Sequence, residues 1–241
     1  MSASIDSTLA PYEAIDDFAE WGIRALVTTR AAGTFSTAGS EPVSDVMARW
    51  DALRGHLFGD PDAGRLATAR QVHGARVLVH DGAWAGWLRG PGADGHLAPT
   101  RGTAMAVSVA DCVPVFVAHP SGVAAVLHSG WRGTEANILA AAVGLFADRG
   151  LAATDLRVVL GPAVCGACYE VSPDVHRRLT GASVDAPTCV DLRALIARQA
   201  SALGVRQVRV HEGCTRCDDD RYFSHRAGDA GRQLGVLLAE A

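Results

Sequence analysis

The chain has 241 residues, 49% of them hydrophobic and 20% charged, which is enough apolar content to bury a full core and fits one large domain better than two small ones. A formal net charge of -4 and a pI near 6.1 give no electrostatic reason to expect nucleic acid or an anionic membrane surface as partner. A small molecule is the expected partner.

Residues 1–17 read as an acidic, flexible segment ahead of a single catalytic domain over 18–241. They lack the basic-then-apolar pattern of a secretory signal. No later run reaches the roughly 18 apolar residues of a membrane span. Six cysteines are too few for a disulfide-dense scaffold of this length, so reduced thiols and a cytoplasmic location are expected.

In chain order, a strand is predicted over 23–28, a Gly-rich loop over 31–40 and a helix over 44–57. A strand at 76–80 and a long Gly-rich loop over 81–102 follow. Apolar runs then predict strands at 104–109, 113–118 and 123–128, with Pro114 expected to interrupt regular pairing. A helix over 135–148 is expected behind a Thr134 cap. A strand at 156–160, helices over 172–179 and 192–203 (the latter capped by Asp191), and a strand over 205–211 complete the alternation. Residues 233–238 fit a strand or a helix. The whole is mixed α and β with no repeat.

The candidate chemistry lies at strand ends. His73 in Gln71-Val72-His73-Gly74, Cys112 in Ala110-Asp111-Cys112-Val113-Pro114 and His128 in Leu127-His128-Ser129-Gly130 together offer two imidazoles and a thiolate. Such a set holds a divalent metal tetrahedrally and leaves the fourth position open. Each residue alone also fits a plainer role: a core cysteine, a satisfied histidine at a strand end, a loop histidine. Gln71 is placed to orient an imidazole or meet substrate. Asp111 is the acid/base candidate, with a backbone-bonding role as its alternative. Asp94 reads as a turn aspartate, or else as the partner that fixes an imidazole tautomer.

After His128, Ser129-Gly130-Trp131-Arg132-Gly133-Thr134 turns into a helix. Free N–H groups beside a guanidinium make an anion pocket there, although an ordinary tight turn with a surface Arg132 fits as well. Arg30, in Thr28-Thr29-Arg30 at another strand end, is a second candidate anion contact. The pairs Cys165-x-x-Cys168 and Cys214-x-x-Cys217 are half-sites of a structural zinc. Their long separation favours two independent reduced pairs.

These segments, with Gly161-Pro162-Ala163, Tyr169-Glu170-Val171 and Phe223-Ser224-His225-Arg226, closely resemble the YfiH-type laccase-domain family, also called multicopper polyphenol oxidoreductase, peptidoglycan editing factor and purine nucleoside phosphorylase. The resemblance implies an α+β fold, a four-layer α/β/β/α sandwich with mixed sheets. It implies zinc on His73, Cys112 and His128, and Arg30 as a phosphate or substrate contact. The implied activities are phosphorolysis of adenosine, inosine, guanosine and methylthioadenosine, and deamination of adenosine. Gly95-His96, Ser129 and Cys217 depart from the family pattern, and none of these changes removes a ligand.

Two alternatives use the same three side chains. Cys112, activated by a histidine, is a nucleophile for amide hydrolysis in editing peptidoglycan precursors. One copper in the His2Cys set makes a polyphenol oxidase. A multicopper cluster is a poor fit: no two histidines stand two apart, and Met1, Met47 and Met105 all precede Cys112, which rules out the usual order of a blue-copper site.

Overall fold

The computed structural model describes residues 11–37, 39–60, 62–82 and 84–241. Strand β1 (Tyr12–Ile15) pairs antiparallel with β2 (Ile23–Thr28). Of the segment expected to be flexible over 1–17, residues 12–15 lie in β1, and residues 1–10 lie outside those described. Ile15 and Phe18 are buried in one apolar cluster. Burying two such side chains, at about 1.5–3 kcal/mol each, outweighs the local acidity that suggested a loose tail.

Helix α1 (Val43–Phe58) buries Val46, Trp50, Leu53 and Leu57, the four-three-four spacing of one helical face. The chain continues through β3 (Arg65–Ala69), β4 (Val77–Val79), β5 (Gly86–Gly90), β6 (Gly95–Ala98) and β7 (Thr103–Val109). The loop expected over 81–102 thus contains two strands. Its glycines serve close packing: a Cβ at Gly95 would stand 2.7 Å from Leu127, and one at Gly90 2.6 Å from Leu78.

Next come β8 (Val113–Ala118), β9 (Ala124–Ser129), α2 (Trp131–Glu135) and α3 (Ile138–Ala147). Pro114 does not interrupt pairing, because it sits opposite His128 within the β8–β9 ladder. The single helix expected over 135–148 is broken at Asn137. This residue takes a left-handed φ of 52° and caps α3 by accepting the N–H of Ala140. Thr134 is not the cap; its hydroxyl meets that of Ser129 at 3.0 Å.

The last elements are β10 (Arg157–Leu160), β11 (Glu170–Val171), α4 (Pro173–Thr180), β12 (Thr188–Cys189), α5 (Leu192–Ala202), β13 (Gln207–Val210) and β14 (Gln233–Ala239). Asp191 caps α5 as expected, and residues 233–239 form a strand.

The two large sheets have the orders β1-β2-β14-β7-β3-β5 and β13-β10-β8-β9-β6-β4. Both are mixed, with parallel pairs β3–β5, β3–β7, β4–β6 and β10–β13. Three apolar interfaces stack them into four layers. Trp50 and Leu53 of α1 pack with Leu66 and Val236 on the first sheet. Val27, Met105, Phe116 and Val126 fill the space between the sheets. Leu127 and Val158 meet Leu139, Phe146 and Ile196 of α3 and α5 outside the second. Successive β9 residues Val126 and Leu127 thus serve opposite faces, as the two-residue strand period requires. The expected α/β/β/α sandwich is the observed fold, in one domain.

This topology also gathers the site. Strands β3, β5 and β7 are mutually parallel, and each is followed by a crossing into the second sheet. The three crossings therefore leave one edge, and they carry His73, Asp94 and Cys112. Strand β9 runs antiparallel to β6 and β8, which returns His128 to the same edge.

Candidate metal centre and cavity

One ligand atom from each of His73, Cys112 and His128 lies within 4.8 Å of the others. The two rings meet edge to face with centroids 4.8 Å apart. His128 is buried, Cys112 partly buried and His73 exposed, so the set is closed on the protein side and open on the other. A Cβ at Gly130 would sit 2.8 Å from Cys112 Sγ and 3.5 Å from the His73 ring. Only glycine leaves room there for the thiol.

Asp94 organises this arrangement. Its buried carboxylate accepts the N–H groups of Val72, His73 and Gly74 at 3.2, 2.9 and 2.7 Å, and meets His128 Nδ1 at 2.9 Å. Of the two readings of Asp94, the structure shows the orienting one. Burial alone would raise the Asp94 pKa, but the His128 hydrogen bond and the loop N–H groups outweigh it and hold the carboxyl below its ordinary value. With Nδ1 engaged, Nε2 of His128 is the nitrogen left for a metal or a proton. His73 is held with φ at 60°; such a conformation costs about 1–3 kcal/mol, which the Asp94 bonds offset.

Burial would push the Cys112 thiol up, yet the charge and hydrogen bond of His128, aided by His73, bring it down to about 6. Burial likewise works against a charged His128, but the Cys112 thiolate and Asp94 raise it to about 9. Each group thus favours the charged form of the other. The donor set fits zinc: two neutral imidazoles and one thiolate, an outer carboxylate fixing a tautomer, and one open side.

The open side faces a cavity of about 530 Å³, within the range that binds small molecules. Its wall includes His73, Cys112, His128 and Gln71, the aromatic rings of Phe35, Trp50 and Trp87, and the cations Arg70, Arg89 and Arg232 with His225.

Contacts with the rest of the fold hold the other expected residues, Gln71 among them. The Gln71 amide is clamped to the backbone of Ser108, donating to its carbonyl at 2.8 Å and accepting its N–H at 2.7 Å, so it anchors the His73 loop to β7. Asp111 takes a φ of 80° at the corner between the sheets. It accepts from Thr215 Oγ1 at 2.7 Å, Ser224 Oγ at 2.8 Å and the Arg226 N–H at 2.7 Å. Its carboxylate holds the corner that presents Cys112 and is not part of the cavity wall.

Arg30 forms a two-pronged bond to Asp229 at 2.6 and 3.2 Å and lies 4.5 Å over the Phe223 ring. Exposed Arg132 stacks 4.2 Å over Trp131. Neither lines the cavity, which has its own three arginines. Sequence reasoning passed over these, since an arginine in or beside a short strand carries no local signal.

A two-sheet sandwich with an open His2Cys cleft at its crossover edge defines the class of protein. The chain belongs to the multi-copper polyphenol oxidoreductase laccase family, whose model matches residues 27–240. It is 36% identical over 225 residues to a purine nucleoside phosphorylase of Streptomyces coelicolor, covering 90% of this chain and 91% of the relative. It is 31% identical over 195 residues to an adenosine deaminase of an unknown prokaryotic organism, covering 73% and 72%. The crystal structure of the hypothetical protein YfiH of Bacillus licheniformis shares the fold with a TM-score of 0.84 at 22% identity, covering 96% and 97%. No helix among the described residues is long and apolar enough to cross a membrane.

Proposed function

We propose that the protein is a metal-dependent purine nucleoside phosphorylase with adenosine deaminase activity, acting on adenosine, inosine, guanosine and methylthioadenosine. The observation that carries this reading is the opening of the His73–Cys112–His128 set into a cavity lined by both aromatic rings and arginines. The names of the curated relatives support the same choice of substrate class.

Zinc held by His73, Cys112 and His128 would supply Lewis acidity at the cavity wall, the role such open three-ligand sites serve. Phe35, Trp50 and Trp87 offer a purine a flat apolar surface. Arg70, Arg89 and Arg232 supply the positive charge that holds phosphate near the sugar. Phosphorolysis joins a phosphate oxygen to the anomeric carbon while the bond from that carbon to the purine breaks, so the departing base needs a proton. His225 is the imidazole in the wall outside the ligand set, and it is assigned that donation. In deamination the same wall binds adenosine without phosphate.

The thiolate character of Cys112 supports a second reading, a cysteine-dependent amidase acting on peptidoglycan precursors. A copper polyphenol oxidase is the reading that follows from the family's description. The test is hypoxanthine release from inosine with and without phosphate. Release that requires phosphate and yields ribose 1-phosphate supports phosphorolysis; equal release in both buffers rejects it. Rapid iodoacetamide labelling of Cys112 in protein as purified, with no activity on nucleosides, favours the amidase.

A further inference from the structure

The two C-x-x-C pairs, expected to be independent, come together. The parallel pairing of β10 with β13 sets Leu160 beside Val210, so the segments leaving these strands run side by side. A bridge between Ala163 and Cys214, with the Thr215 N–H donating to the Ala163 carbonyl at 3.2 Å, holds them in step. Across 49 residues of chain, Cys168 Sγ and Cys217 Sγ meet at 3.5 Å. One sulfur from each of Cys165, Cys168, Cys214 and Cys217 lies within 4.8 Å of the others.

We propose that Cys165, Cys168, Cys214 and Cys217 form a closed tetrathiolate site that holds one structural zinc ion, separate from the His73–Cys112–His128 centre. Sulfurs at about 2.3 Å from a tetrahedral zinc stand about 3.8 Å apart. The Cys168–Cys217 separation is near that edge and far from the roughly 2.05 Å of a disulfide.

Each pair also forms the tight turn such a site needs. Cys168 and Tyr169 donate their N–H groups to the Cys165 carbonyl, and Asp218 donates to that of Cys214. Two backbone N–H groups point at one sulfur: those of Cys165 and Cys217 reach Cys214 Sγ at 3.2 and 3.4 Å. Charge-assisted bonds of this kind favour a thiolate over a thiol. Four soft sulfur donors with no place for a reactant select a structural ion, and zinc suits them.

The site has a task in the fold. Thr215, next to Cys214, donates to Asp111 at 2.7 Å, and Asp111 immediately precedes Cys112. An ion joining the two turns would fix the corner that presents Cys112 without touching a substrate.

The test uses a His73→Ala/Cys112→Ala variant, which disables the other centre, purified without added metal and analysed for zinc. One zinc per chain is expected, falling to none when Cys217→Ser is added. Cobalt in place of zinc should give the intense visible bands and sulfur charge transfer of four thiolates. If the added substitution prevents folding, labelling of the unmodified protein decides: all four cysteines should resist iodoacetamide until a strong chelator is present. A metal-free double variant, cysteines labelled equally with and without chelator, a Cys168–Cys217 disulfide in reducing buffer, or iron in place of zinc would each overturn the assignment.

Discussion

Asp94 meets His128 Nδ1 at 2.9 Å while its two oxygens gather the N–H groups of Val72, His73 and Gly74. One buried carboxylate thereby fixes the ring of one ligand and the loop that carries another. Burying it costs several kcal/mol, offset by charge-assisted bonds of about 1.5–3 kcal/mol each.

Asp94→Asn keeps the volume but presents N–H where the loop and His128 need an acceptor. Stability should fall by about 2–4 kcal/mol in denaturant titration. Zinc affinity of the His2Cys site should fall about 10–100-fold by competition with a chromogenic chelator. Unchanged affinity would remove Asp94 from the account of the site.

Gly130→Ala places a methyl group 2.8 Å from Cys112 Sγ. The thiol or the turn must shift, at about 1–3 kcal/mol. Activity on inosine should drop at least tenfold, on the order expected when a reacting group is displaced by part of an ångström, while circular dichroism stays native. Retained activity would show that this turn is looser than its packing implies.

His96 lies fully buried between the sheets, its Nδ1 2.9 Å from His80 Nε2 and its own Nε2 without a partner among the described residues. Burial, with His80 adding to it, depresses the His96 pKa from 6.5 to about 3. The unfolded chain therefore binds a proton in this window that the folded one refuses. The stability associated with neutral His96 is present above pH 6.5 and is lost as pH falls toward 3, by at most about 1.4 kcal/mol per pH unit. Unfolding free energies measured between pH 7 and 5 should slope downward with falling pH, and His96→Leu should flatten the slope. A slope unaltered by that substitution would contradict the assignment.

Arg70 and Arg232 line the cavity, whereas Arg30 is tied to Asp229. Replacing either cavity arginine by Gln should raise KM for phosphate about tenfold, the equivalent of one charge-assisted bond. KM for inosine should change little. Arg30→Gln should instead lower stability by about 1 kcal/mol and leave phosphate KM nearly unchanged. The reverse pattern would return the anion contact to Arg30.

Much of this was readable along the chain. Strands β7, β8 and β9 announce themselves because nearly every residue is apolar and buried on both faces, and His73, Cys112 and His128 stand out at their ends or at a crossing. Strands β3 and β5 were hidden because each is five residues long with an Arg in it. A carboxylate within Gly-Ala-Asp-Gly looks the same whether it bonds its own turn or a histidine 34 residues away, so Asp94 could not be settled locally. Arg30 and Asp111 read as chemical groups because their partners, Asp229 and the Thr215–Arg226 segment, are distant in sequence. The cysteine pairs meet only through the parallel β10–β13 ladder, which no spacing rule reveals.

If the three side chains act on a nucleoside through a shared ion, activity must return when zinc is given back to chelator-stripped protein. With inosine and phosphate present, hypoxanthine release should be absent at first and rise until the His2Cys site fills, and Cys112→Ala should stay inactive at every zinc concentration. Full activity in the stripped protein, or an active Cys112→Ala variant, would contradict action through a shared ion.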